Sequence, residues 1–127
     1  MKQLRTPPRS NLLPILEHIK QSYLLWHGYH SIVAKAKRYT LGKKIGVLFI
    51  DIIEVVSGAV FLPRQEKLPY LRVAIRMLDT LQLLLVILWE TKTLETKKYA
   101  VLSAQLVTIG KMLGGWYGQV EKQTLPK

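Results

Sequence analysis

The 127-residue chain contains no cysteine, which excludes disulfide frameworks, thiolate zinc sites and a cysteine nucleophile. Acids are scarce: 8 Asp and Glu stand against 19 Lys and Arg, a formal charge of +11. Such an excess implies an anionic partner, whether nucleic acid, a membrane surface or an acidic protein. No stretch shows sustained period-two alternation bounded by hairpin turns, so strands are not expected. No signal peptide is expected either. After MKQLRTPPR the first apolar stretch is broken by Pro14 and Glu17 and lacks a small-residue cleavage site.

Long hydrophobic runs are also limited. Residues 45–62 (IGVLFIDIIEVVSGAVFL) carry Asp51 and Glu54 at their centre, where two acids would cost roughly 2.5–3.5 kcal/mol each to insert into a bilayer. Residues 81–89 (LQLLLVILW) reach about half of the ~20 residues a span needs. Buried bundle helices are therefore expected, and no membrane span. With 49% hydrophobic and 21% charged residues, the chain has the material for one apolar core. The absence of cysteine is compatible with a cytoplasmic location.

What is present is helical periodicity. Residues 1–11 form a basic arm with Pro7 and Pro8, expected to be flexible, ending in Ser10 or Asn11 as a helix cap. Leu12, Leu16, Ile19, Tyr23, Trp26, His30 and Val33 then alternate at spacings of four and three, predicting a helix over about 12–38. Residues 39–42 break the pattern. A second helix over about 43–62 carries one stripe through Ile45, Leu48, Ile52, Val55, Ala59 and Leu62. A second stripe on it, Phe49, Ile53, Val56 and Val60, makes it nearly apolar all round and places it centrally. Residues 63–69 (PRQEKLP) read as a loop. A third helix over about 69–90 bears Leu71, Ala74, Leu78, Leu81, Leu85 and Leu88. After the 91–96 connection, a fourth over about 95–120 bears Tyr99, Leu102, Leu106, Ile109, Leu113, Trp116 and Val120. Residues 121–127 close the chain as a polar tail. The fold class expected is all-α, an antiparallel up-down-up-down four-helix bundle over 12–120. The second and third helices hold more apolar surface than one core consumes, so oligomerisation is expected.

Few residues carry chemistry. His27 and His30 lie one turn apart and could share a metal, but no third ligand is placed by spacing; imidazoles satisfied in or beside the seam are the expectation. Asp51 and Glu54, also one turn apart, fit pairing with a cation from a neighbouring helix or subunit better than a magnesium site, which usually needs more oxygens. No Gly-rich phosphate loop follows a strand. Gly110, Gly114 and Gly118 recur every four residues beside Gly115, at roughly 1 kcal/mol each against alanine. Tight packing inside the protomer and a close subunit contact both fit them.

The cations cluster. Residues 1–44 hold nine Lys and Arg against Glu17 alone. Lys35, Lys37, Arg38, Lys43 and Lys44 should gather at one pole, as a solvated end or an anion site. Arg72 and Arg76 project from one helix face, with Asp79 three residues on. Pairing across an interface and bidentate phosphate contact both suit them.

The segment Leu71-Arg72-x-x-x-Arg76-x-Leu78, followed by Ile109-Gly110-Lys111-Met112-Leu113-Gly114-Gly115-Trp116, resembles the accessory variability determinant (Avd) proteins of diversity-generating retroelements. Length, basic charge and four-helix order match too, so the resemblance covers nearly the whole chain. Its most specific part is the Leu-Gly-small-Trp ending after a basic residue, here Lys111. The resemblance implies a homopentameric, barrel-like ring that is not an enzyme and carries no cofactor. It implies binding of the element's reverse transcriptase and of template RNA or its cDNA, through phosphate contacts and with little base readout, in support of mutagenic copying. Arg72 and Arg76 become the expected contacts, with Lys111 and the cations of residues 35–44 behind them. A related four-helix family, encoded by intervening sequences of 23S ribosomal RNA, shares the architecture and offers an alternative: an RNA-binding structural protein without a transcriptase. A peripheral membrane protein using the basic pole, or a metal-dependent hydrolase using His27 and His30, are the readings from other classes.

Overall fold

The structure, a computed structural model, describes residues 12–31 and 38–124. Among these residues are four α-helices and no strand. They are α1 (Leu12–His30), α2 (Lys43–Val60), α3 (Arg64–Glu90) and α4 (Thr96–Thr124), with a five-residue π-helical turn, Arg38–Gly42, running into α2. At about 1.5 Å per residue, the 27 residues of α3 and 29 of α4 span roughly 40 Å. α1 packs on α2 and α4, and α3 packs on the same two helices, so the four close around a single core.

The heptad spacing explains that closure, with some shifts in phase. In α1 the fully buried positions are Ile15, Ile19, Ser22 and Trp26, while Leu16 and Tyr23 are only partly covered. The seam therefore turns by one residue around Ile19. Ser22 is tolerated inside because its Oγ donates to Gln105 Oε1 of α4 at 2.8 Å, which satisfies a buried hydroxyl. In α3 and α4 the buried residues are the expected leucines, from Leu71 to Leu88 and from Leu102 to Leu113, ending on Trp116 and Val120. Tyr99 is half-buried.

Several boundaries differ from the sequence reading, each for a local reason. α1 ends at His30, where Ser31 Oγ donates back to the Gly28 carbonyl at 2.9 Å. Val33, Lys35 and Lys37 lie outside the described residues. The break expected at 39–42 is a π-helical turn instead, so Gly42 keeps helical angles (φ −61°, ψ −42°) and α2 starts without a side-chain cap. α2 is not central. Val47 and Ile50 are exposed on its outer face together with Glu54, and Phe61 is exposed just past its end.

The loop expected at 63–69 is largely helix, because α3 begins at Arg64 and carries Pro69 inside. As the sixth residue of α3, Pro69 removes the one hydrogen bond that a residue there would give to the Gln65 carbonyl. Lys67 holds this segment: its Nζ donates to the carbonyls of Ala59 (2.7 Å) and Val60 (2.9 Å) at the end of α2. Both are carbonyls of the last turn, which lack an i+4 N–H partner; Ala59 O accepts in addition from Leu62 N–H at 3.2 Å. α4 likewise runs to Thr124, past the expected end of the helical pattern.

The α3–α4 connection is a Schellman turn. Lys92 N–H donates to Trp89 O and Thr93 N–H to Leu88 O, both at 2.9 Å, with Lys92 at φ 61° and Leu94 buried beneath.

Candidate nucleic-acid interface

The two segments that carry the family resemblance lie side by side. Leu78 Cδ2 of α3 sits 3.4 Å from where a Cβ on Gly110 of α4 would stand. Arg72 Nη2 donates to Tyr117 Oη at 2.8 Å, with the guanidinium 5.6 Å from that ring's centroid. Arg72 is exposed and oriented by the phenol, which leaves most of its five N–H donors facing solvent. Arg76, one turn on, is exposed and forms no ion pair with Asp79. Lys111 is exposed on α4, lining a shallow cavity of about 260 Å³ with Pro14, Met112, Gly115 and Trp116.

The glycines divide. Leu78 packs at Gly110, whereas a Cβ at Gly114, Gly115 or Gly118 would meet nothing within 4 Å. Packing inside the protomer therefore touches Gly110 alone among the four, at ordinary contact distance. Lys111, Gly114 and Gly118 follow at spacings of three and four, so they share one outward face of α4.

Lys67 sits below this stretch, its Nζ 5.9 Å from the Trp116 ring centroid. Burial pushes its pKa below the usual lysine value, against the two carbonyls that favour the charged form.

The opposite end of the bundle is basic as well. Lys43 and Lys44 are exposed at the start of α2, and Lys92 and Lys97 are exposed around the α3–α4 turn. Lys98 Nζ lies 5.6 Å from the Tyr29 ring centroid at the end of α1. Of the other cations expected at this pole, Lys35, Lys37 and the side chain of Arg38 lie outside the described residues. Only one ion pair forms among the described residues, Lys20 to Glu17 at 3.2 Å, and both partners are exposed. Hydrogen bonding from Gln21, with Lys20 second, holds the Glu17 carboxyl below its usual pKa. The remaining described cations are free of carboxylates, so the positive potential reaches solvent largely unneutralised.

The other residues singled out in the sequence do not assemble. His27 is exposed, and His30 stacks on Trp26 with centroids 5.4 Å apart; its Nε2 is buried without a hydrogen-bond partner among the described residues. No three potential metal ligands cluster among the described residues. Asp51 is half-buried and Glu54 exposed, and neither pairs with a cation there. No described helix is long and apolar enough to cross a membrane.

Sequence reasoning passed over Lys67, Tyr117 and the pair Trp89 and Tyr99. The last could have been found: two aromatics flanking a short connection at a basic end are a visible signal. Lys67 could not, because its role depends on where α2 stops. Comparisons with protein families, with curated proteins and with solved structures find no match to this chain.

Proposed function

We propose that the chain is a non-catalytic accessory protein of the Avd type. In this reading the helices run up-down-up-down and assemble as a homo-oligomer, five by the resemblance. The assembly binds a reverse transcriptase together with template RNA or cDNA. One observation carries the reading: Arg72 is bound to Tyr117, just past Gly114 and Gly115, whose open Cα positions leave room for a partner backbone, with Arg76 exposed one turn on and Lys111 exposed on α4. Exposed guanidinium groups without a carboxylate partner and an exposed ammonium suit phosphate, which binds bidentately to arginine. The exposed apolar residues Val47, Ile50, Tyr70, Val73 and Ile87 on α2 and α3, with Phe61 between the two helices, support assembly through that side of the bundle.

The test is charge reversal. Arg72→Glu with Arg76→Glu should abolish transcriptase capture and flatten the salt dependence of RNA binding. If both arginines meet phosphates, the log–log slope falls by about 1.4 for single-stranded RNA. Helicity and particle mass, read by circular dichroism and light scattering, should not change. A folded double variant with unchanged capture and unchanged slope refutes the assignment. RNA binding without transcriptase capture by the wild-type chain would favour the intervening-sequence type.

A further inference from the structure

The second basic end carries an aromatic shelf that the reading above does not use. Trp89, near the end of α3, lies flat on Tyr99 of α4, with ring centroids 4.9 Å apart and planes 10° from parallel. Its Nε1 donates to Thr96 Oγ1 at 3.1 Å, so the indole is satisfied at its polar tip and fixed in rotation. It remains 37% exposed, whereas Trp26 and Trp116 are 1% and 8% exposed. An open cavity of about 570 Å³ adjoins it, lined by Glu90, Lys92, Leu94, Glu95 and Thr96 as well as Trp89. That volume falls within the ~300–1,000 Å³ of small-ligand pockets.

We propose that this cavity receives one unpaired base of a single-stranded RNA, stacked on Trp89, with the flanking phosphates held by Lys92 and Lys97. The inference rests on the nucleic-acid reading above and adds a site to it. A planar ring backed by a second ring offers a rigid stacking platform, which loses little conformational freedom on binding. The two exposed ammonium groups at this turn form no ion pair with Glu90 or Glu95 and are available to phosphate. Those carboxylates accept hydrogen bonds, which suits the exocyclic amines of a base. Trp89 is packed against α4 rather than projecting, which favours a stacked base over insertion into a membrane.

The experiment compares a short single-stranded RNA with an abasic oligomer of the same length and charge, at low salt, following tryptophan fluorescence. The base-bearing strand should quench emission and bind about 5- to 150-fold more tightly than the abasic one, the range that one stacked base supplies. Trp89→Ala should lose that margin and bind both strands alike, and Trp89→Phe should recover part of it. If Trp89→Ala does not fold, the wild-type comparison decides alone. Equal affinity of the wild-type protein for both strands overturns the stacking site while leaving phosphate binding at Arg72 and Arg76 intact. Quenching by anionic vesicles but by no RNA overturns it in favour of lipid. Failure of every oligomer to bind removes the nucleic-acid reading and this site with it.

Discussion

Replacing Lys67 by methionine isolates a contact on which the α2–α3 corner depends. The substitution keeps an apolar stem over Trp116 and removes the donor to Ala59 O and Val60 O. Hydrogen bonds from a charged group contribute about 1.5–3 kcal/mol each in favourable cases. Two effects lower the total here. Leu62 N–H already donates to Ala59 O at 3.2 Å, and burial of the ammonium opposes the gain. A net loss of about 1–2 kcal/mol is expected, a fall of roughly 3–10 °C in Tm for a domain of this size. Thermal unfolding followed by circular dichroism reads it directly.

The pH dependence supplies a sharper test. Because Lys67 has its pKa lowered in the folded chain, the unfolded state binds more protons between the folded value and 10.5. Stability from this group therefore rises with pH across that window and is fully present above 10.5. The gap between wild type and Lys67→Met should widen as pH rises through the lowered Lys67 value toward 10.5. A gap that narrows would mean the two carbonyls outweigh burial and hold the ammonium charged. Equal stability at neutral pH would refute the role of Lys67 in starting α3 at Arg64.

Two further outcomes follow from backbone geometry. Lys92 occupies the left-handed region at φ 61°, so Lys92→Gly should raise stability by about 1 kcal/mol, measured by urea unfolding; a loss would mean the lysine side chain contributes more than its strain costs. Gly114→Ala places a methyl in open space and should stabilise the isolated protomer by up to about 1 kcal/mol. If Gly114 admits a partner backbone, the same change should weaken assembly or transcriptase capture, read by light scattering and pull-down; unchanged values for both would show that nothing approaches there.

The leucine seams of α3 and α4 were legible because a strict heptad needs no tertiary context, and Leu71 to Leu88 and Leu102 to Leu113 are buried as their spacing predicts. The helix ends were not. Pro63 and Pro69 read as loop markers, yet only Pro63 lies outside α3, since Lys67 binds the end of α2 and draws the segment between them into helix. The exchange of Ile15 and Ser22 for Leu16 and Tyr23 escaped for a similar reason: a buried serine becomes acceptable only once Gln105 is opposite it. At the candidate site, the paired arginines and the glycine run were visible as motifs. That Tyr117 would orient Arg72 was not, because 45 residues separate them in sequence.

The scarcity of ion pairs among the described residues bears on the lifetime of the protein. With a formal charge of +11 and one ion pair among the described residues, the folded chain bears its own repulsion, which a polyanion bound as proposed above would relieve. Occupied copies are then more stable than empty ones by mass action, and the unfolded fraction from which proteases draw belongs mainly to the empty pool. On the proposed reading, supply of the protein would thereby track the amount of that polyanion, with surplus copies turned over first.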